Sequence, residues 1–209
     1  MAAHIEEQQE LDNFKYFWKR TGRWIFAVLI LAAAAYLGYT VYQNHQAEKN
    51  QEAAAVLVGL VEKAQQKADP NAINADLKNL QENYADTISA AQATLMAAAT
   101  EFDAGRLDIA AGHLQWILKN QNEPLVQALA AQRLAVVYLQ QKKYDDALNA
   151  LNTKVESDFQ PLLLETKGDV YAAQGNTAEA AKTYQQALDL LTKESVNRDL
   201  LQLKIDAQK

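Results

Sequence analysis

Apolar and charged positions divide the chain into one long uncharged segment followed by a series of shorter amphipathic segments. Residues 24–47 contain no Asp, Glu, Lys or Arg, and their most apolar part ends near residue 42. A helix of about 20 apolar residues spans the hydrocarbon layer of a membrane, so the pattern predicts a transmembrane helix over residues 24–43. Aromatic side chains of the kind found at lipid–water boundaries flank both ends: Trp18, Trp24, Tyr36, Tyr39 and Tyr42.

The basic residues around this segment predict its orientation. Four of them lie shortly before it: Lys15, Lys19, Arg20 and Arg23. Only Lys49 lies close behind it, so the positive-inside rule places a tail of residues 1–23 in the cytoplasm and residues 44–209 outside it. A cleaved signal peptide is the alternative, but the region before the segment is long and acidic for one. A buried helix of a soluble domain is a further alternative, although so long an uncharged helix is rare in a small domain.

Beyond the uncharged segment, apolar residues recur at spacings of three and four, which predicts a series of helices. The helix of the span is expected to continue as a stalk over residues 48–67, until Asp69 and Pro70 begin a new helix as its N-cap and first turn. The following helices are predicted at 71–84, 88–103, 107–120, 124–141, 144–153, 161–174 and 177–191. Asn176 and Glu179 have the spacing of a capping box, and Gly105 and Gly175 stand where paired helices meet.

The spacing of small and large residues predicts a repeat. Five residues match the small and aromatic positions of the tetratricopeptide (TPR) pattern: Gly168, Tyr171, Ala180, Tyr184 and Ala187. One repeat length upstream, the same places are taken by Ala135, Tyr138, Ala147 and Leu151, and a looser copy contains Phe102, Gly105, Ala110 and Leu114. Small residues at these places let two helices approach closely, and the large ones fill the gap to the next repeat.

These patterns predict an all-α protein in which an N-terminal transmembrane helix precedes a TPR-like α-solenoid of three to four helix pairs. The repeats occupy about residues 71–191. A C-terminal capping helix is expected at 195–207, with Val196, Leu200, Leu203 and Ile205 as its apolar residues. A non-repetitive helical bundle is the alternative.

Composition and charge exclude or disfavour several classes of function. The absence of Cys excludes disulfides, thiolate metal sites, a cysteine nucleophile and a cysteine-linked lipid anchor. The net charge of −6 disfavours nucleic acid as a partner. The three histidines, His4, His45 and His113, are scattered, and Asp145 and Asp146 suit the first turn of a helix rather than acid–base chemistry. We therefore expect no enzymatic activity, cofactor, metal or small-molecule substrate.

The order of the segments resembles one known family. The chain begins with FKYFWKRTGRW and the span, continues with VYQNHQAEKNQEAA, RLAVVYLQQKKYDDALNAL and LETKGDVYAAQG, and ends with LQLKIDAQK. This order resembles the ancillary SecYEG translocon subunit family, the YfgM-type proteins of Gram-negative bacteria. The resemblance implies a single-pass inner-membrane protein with a periplasmic TPR-like domain. It also implies association with the SecYEG translocon and with a membrane-anchored chaperone of the PpiD type, and help in passing emerging polypeptides to periplasmic chaperones.

Two other classes of function are compatible with the same pattern. One is a periplasmic TPR adaptor that organises envelope assembly or division without a translocon role. The other is a homo-oligomeric adaptor assembled through the helix at 48–67, which an uncovered apolar stripe on that helix would favour.

A binding groove is expected on the concave face of the solenoid, which the first helix of each pair lines. The candidate residues are Leu95, Ala99 and Phe102 in the first repeat, Gln132, Val136 and Leu139 in the second, and Glu165, Asp169 and Ala172 in the third. Such a groove would be apolar in the first repeat and acidic in the third, and it would bind a peptide or partner segment. The alternative is that several of these residues pack internally.

Overall fold

The computed structural model describes residues 10–11, 15–193 and 195–209. Most of the predicted cytoplasmic tail, including residues 1–9 and 12–14, lies outside these ranges, as does Glu194. The chain forms two compact units, residues 1–49 and residues 50–209. All regular secondary structure in the described ranges is helical, as the composition and the apolar spacing predict.

The first unit consists of a π-helical turn, Trp18–Gly22, and the N-terminal part of helix α1, Arg23–Gln65. Within the described residues, one helix is long and apolar enough to cross a membrane, and none of its most apolar window is buried within the protein. The aromatic side chains expected at the boundaries, including Trp24, Tyr36 and Tyr39, are exposed. As predicted, the helix does not stop where the uncharged segment ends.

The second unit contains the C-terminal part of α1 and the shorter helices. Their bounds lie close to those predicted: α2 Pro70–Asn83, α3 Ile88–Asp103, α4 Leu107–Asn120, α5 Pro124–Gln140, α6 Tyr144–Ala150, α7 Gln160–Ala173, α8 Thr177–Leu190 and α9 Arg198–Asp206. A short 3-10 turn, Ser157–Phe159, precedes α7. Proline stands in the first turn of α2, α5 and α7, where its missing N–H costs nothing.

One of the two predicted N-caps is present and the other is not. The side chain of Asp69 accepts a hydrogen bond from the backbone N–H of Asn71 at 3.0 Å and begins α2 as predicted. The capping box at Asn176 is wrong, because the side chain of Asn176 makes no capping bond. Its own N–H instead donates to the carbonyl of Tyr171 at 2.9 Å. Asn176 thus closes the preceding helix, with a backbone (φ −90°, ψ 70°) outside the extended region typical of an N-cap.

The repeat is most visible in the way the first helix of each pair ends. Gly105 and Gly175 have φ values of +74° and +78°, and Lys142 occupies the equivalent place with φ +59°. In each case the N–H of this residue donates to a carbonyl three residues earlier at 2.9 Å. Lys67, after α1, has φ +53° and a bond of the same kind at 3.1 Å. Four helix ends in the described residues therefore share one left-handed turn, and α9 follows the last pair.

The residues predicted to pack the repeats lie mostly in the core. Nine of them are buried: Ala110, Leu114, Ala135, Ala147, Leu151, Gly168, Ala180, Tyr184 and Ala187. Tyr138 and Tyr171 are partly buried against the same clusters. Gly168 shows why a small residue is needed, because a Cβ at this position would overlap Cε1 of Tyr184 and lie 2.5 Å from its Cδ1.

The apolar stripe of the predicted stalk is covered within the second unit. Ala53 and Leu60 of α1 are buried in a cluster with Leu77 and Leu80 of α2 and with Ala90 of α3. The homo-oligomeric alternative needs this stripe to be free, so the packing removes the feature that would have favoured it.

Candidate functional site

An apolar cavity of about 280 Å³ lies between α3 and α5, the first helices of two consecutive pairs. Four of the predicted groove residues line it together: Ala99, Phe102, Gln132 and Val136. Leu114 of α4 and Val137 of α5 complete the apolar floor. The small side chains of Ala98 and Ala99 leave the space that Phe102 and Val136 border. The repeat spacing therefore brings residues of two helices to one cavity.

The rim of this cavity carries one charge of each sign. Asp103, at the end of α3, and Arg133, on α5, border the cavity, and both side chains are exposed. The arrangement suits a ligand segment that inserts an apolar side chain and keeps polar groups at the rim. A cavity of about 280 Å³ has room for a large apolar side chain.

Two predicted groove residues lie elsewhere. Leu95 and Leu139 pack against the central core cluster and do not line the cavity. Their side chains are only partly exposed, so they stabilise the contact between helix pairs. This outcome corresponds to the internal packing that the sequence left open as an alternative.

The third-repeat residues are covered by α9, which corrects the expectation of an open acidic end. Nζ of Lys204 donates to Glu165 and to Asp169, each at 2.8 Å, and lies 5.5 Å from the centre of the Tyr184 ring. The hydroxyl of Tyr184 also donates to Asp169 at 2.8 Å. Ala172 packs against the cluster that α8 and α9 form. A basic residue more than thirty positions away along the chain thus neutralises the carboxylates.

This ion cluster changes the pKa of Lys204 and of Tyr184. Burial lowers the pKa of Lys204, but hydrogen bonds to Asp169 and Glu165 outweigh it and raise the pKa above its usual value. Burial and the hydrogen bond to Asp169 both raise the pKa of Tyr184. Lys204 is therefore a permanent cation over the third repeat at physiological pH.

Several buried polar contacts between neighbouring pairs had no signal in the apolar pattern. The side chain of Gln121 is buried, and its Nε2 donates to the carbonyls of Ala85 and Thr87 at 2.6 and 3.1 Å. Nε2 of Gln127 donates to the carbonyl of Leu118 at 3.0 Å. Gln121 thus bonds two carbonyls of the loop that leads into α3, and Gln127 bonds a carbonyl in the last turn of α4. Thr87 itself caps α3, and its place before an apolar run was a signal that could have been recognised.

His113 is half-buried beside a second, smaller cavity of about 120 Å³ that Leu60, Met96 and Glu101 also line. Burial lowers the pKa of His113, and the charge of Glu101 opposes this only in part. Glu101 itself is paired with Arg106, whose hydrogen bond lowers the pKa of the carboxyl. In the described part of the chain, no group of three or more His, Cys, Asp or Glu side chains could hold a metal ion.

Comparison with known proteins decides the family. Residues 15–209 match the family model described as a tetratricopeptide repeat-like domain. A protein of Neisseria gonorrhoeae named ancillary SecYEG translocon subunit is 68% identical over 209 residues, the full length of both chains. The chain belongs to the ancillary SecYEG translocon subunit family.

More distant relatives carry the same name. The protein of Haemophilus influenzae is 29% identical over 187 residues, which cover 90% of this chain and 91% of that one. The protein of Escherichia coli is 24% identical over 206 residues, which cover 99% of this chain and 98% of that one. The similarity therefore includes both the apolar helix and the helix pairs. The TPR-like fold of the family is a scaffold type that is not generally enzymatic.

Proposed function

We propose that this protein is a single-pass inner-membrane subunit of the Sec translocon, and that its TPR-like domain binds a polypeptide segment in the cavity between α3 and α5. The name shared by relatives that align with the whole chain supports the association with the translocon. The apolar helix at the N-terminus supports the membrane anchor. The protein acts by binding and positioning rather than by catalysis.

The cavity is the observation that carries the binding part of this proposal. It brings together apolar side chains of two consecutive repeats, and its rim offers Asp103 and Arg133 to the polar groups of a ligand. An extended or helical segment with one large apolar side chain matches this surface. The occupant is a segment of a membrane-anchored chaperone of the PpiD type, or an emerging polypeptide.

Linking the span and the cavity in one chain gives the mechanism. The span keeps the protein among the membrane helices of the translocon, and the cavity holds the chaperone or the client. Two sites on one chain convert the second binding event into an intramolecular one, which raises the effective concentration of the chaperone at the exit site. This rise in effective concentration needs no binding site other than the span and the cavity.

The orientation is tested by labelling single cysteines, because the chain has none of its own. Gln186→Cys on the exposed surface of α8 and Ala3→Cys in the tail are expressed separately in cells with a permeabilised outer membrane. A membrane-impermeant maleimide is expected to label the first variant in intact inner membranes and the second only after lysis. The reverse pattern contradicts a periplasmic domain.

The binding site is tested by photo-crosslinking of the full-length protein in native membranes. A photoreactive phenylalanine analogue replaces Ala99 or Val136 in the cavity, or Ile109, an exposed residue of α4, as the matched control. We expect adducts with a translocon subunit, a membrane-anchored chaperone or a secreted client at the first two positions and not at the third. Adducts with cell-wall or division proteins alone would instead support an adaptor that organises the envelope.

A further inference from the structure

The C-terminal helix exposes an apolar stripe that nothing in the described structure covers. Val196, Leu200 and Leu203 are 92%, 48% and 67% exposed. Leu200 and Leu203, three positions apart, lie on one side of α9, and Val196 lies in the turn before it; we call these three residues the C-terminal stripe. Leu201 and Ile205, on the opposite side of the helix, are buried against α8. The sequence predicted Val196, Leu200, Leu203 and Ile205 as the apolar residues of one cap, and of these four only Ile205 is buried.

Packing against the solenoid therefore uses only half of the apolar residues of α9. Two exposed leucines on one face of α9, with an exposed valine in the turn before it, form an uncovered apolar patch, and such patches mark interaction surfaces. Side chains at these spacings form a ridge along a helix, and the groove of another helix is the usual complement of such a ridge.

Both edges of the C-terminal stripe are acidic. Asp199 and Asp206 lie one helical turn before and after Leu203 and are exposed on one edge. Asp206 is paired with Nζ of Lys209 at 2.6 Å, so this edge carries the one net negative charge of Asp199. Lys204 lies on the other edge, but it is already bonded to two carboxylates, Glu165 and Asp169, so this edge carries a net negative charge. The stripe thus combines an apolar centre with a negative rim.

This charge pattern selects the occupant. An anionic lipid surface would be repelled by carboxylates on both edges. A second copy of the chain would bring acidic edges against acidic edges, and like charges at an interface are costly. A helix with a Leu-rich face and Lys or Arg beside it matches both the apolar centre and the rim.

We infer that the C-terminal stripe is a docking site for a basic amphipathic helix of a partner protein. This site is separate from the cavity between α3 and α5, because none of its residues lines that cavity. The partner helix lies along α9, with its apolar face on Leu200 and Leu203 and a basic residue beside Asp199.

The test measures binding of two synthetic helical peptides to the full-length protein in phosphatidylcholine nanodiscs. Both peptides are fluorescent and 18 residues long and share one leucine face, but the flanking positions are Lys in one and Glu in the other. We expect the Lys peptide to bind about tenfold more tightly or better, and to weaken as salt is raised. Empty nanodiscs give the background, and fluorescence anisotropy gives the affinity.

Variants assign the binding to the stripe. In the double variant Leu200→Ser, Leu203→Ser, the affinity for the Lys peptide is expected to fall by about tenfold or more. Ile109→Ser, at another exposed aliphatic residue, leaves this affinity unchanged. Asp199→Lys with Asp206→Lys is expected to reverse the preference toward the Glu peptide. The substituted side chains are all exposed, and circular dichroism confirms that the variants keep their helix content.

Three outcomes overturn the inference. The first is equal affinity for the two peptides, or affinity that the Leu200→Ser, Leu203→Ser variant retains. The second is a concentration-dependent dimer that Leu203→Ser abolishes, which assigns the stripe to a second copy. The third is hydrogen-exchange protection of α9 that appears only in nanodiscs with phosphatidylglycerol, which assigns it to the lipid surface.

Discussion

Replacing Gly168 with Ala tests the tightest helix contact in the solenoid. A Cβ there would overlap Cε1 of Tyr184 and lie 2.5 Å from Cδ1 and 2.9 Å from Cζ, well inside the separation of about 3.5–4.0 Å at which carbon atoms attract. The ring cannot move away freely, because Tyr184 is buried and its hydroxyl donates to Asp169 at 2.8 Å.

Two opposing effects determine the size of the change. Ala in a helix is more favourable than Gly by about 0.5–1 kcal/mol, whereas overpacking a close contact costs about 1–3 kcal/mol. We therefore expect Gly168→Ala to lower the free energy of unfolding by about 1–2 kcal/mol. Gly112→Ala is the matched control, since a Cβ on Gly112 meets nothing within 4 Å. This variant should be stabilised by the helix preference of Ala over Gly, without a cost of overpacking.

Hydrogen exchange of the full-length protein in micelles measures the change where it occurs. The amides of α7 and α8 should exchange about tenfold faster in Gly168→Ala, since a tenfold change corresponds to about 1.4 kcal/mol. A second variant adds Tyr184→Leu, because Leu151 and Ala135 occupy the equivalent positions one repeat length upstream and are buried in one cluster. The free energy of unfolding should fall in the double variant by less than the sum of the decreases in the two single variants. If Gly168→Ala slows exchange as Gly112→Ala does, the close packing of Gly168 on Tyr184 is wrong.

Three further predictions concern the turns, a cap and pH. Lys142→Gly should raise the free energy of unfolding by about 0.5–1 kcal/mol by relieving a left-handed backbone, whereas Lys182→Gly inside α8 should lower it by about 1 kcal/mol, both measured by urea unfolding. Asp69→Ala should cost about 1 kcal/mol and speed exchange in the first turn of α2, and unchanged exchange there would contradict the cap. Because burial lowers the pKa of His113 below 6.5, the unfolded chain binds a proton first as pH falls. Stability should then decline below about pH 6.5 more steeply than in His113→Gln, and parallel profiles would contradict this.

Local features were predictable from the sequence because they depend on residues a few positions apart. Apolar spacing located the helices, Asp69 and Pro70 began α2, and Gly105 and Gly175 ended helices in the left-handed region. Lys142 was missed at the same turn, because a lysine carries no sign of a positive φ. The capping box at Asn176 failed because the end of α7 and the start of α8 compete for one backbone, and the bond to Tyr171 is the one that forms.

The candidate site was predictable only in part, since it depends on contacts between helices. The repeat register brought Ala99, Phe102 and Val136 to one cavity, because equal spacing places equal helix faces side by side. The register could not show that Leu95 and Leu139 turn toward the core. Small differences in helix packing decide which side of the first helix of a pair remains open.

The sequence by itself determined the order of the elements: an apolar helix, helix pairs of nearly constant length, and a last amphipathic helix. Periodicity and local hydrogen bonding encode these features within a few residues. Only the tertiary structure decided which surfaces stay available. It placed Lys204 over Glu165 and Asp169 and closed one end of the groove, and it left Leu200 and Leu203 outside the core. The physical reason is that packing of α9 on the last helix pair brings Lys204 to carboxylates of α7 more than thirty positions away. The apolar spacing within α9 does not show which of its apolar residues this packing buries.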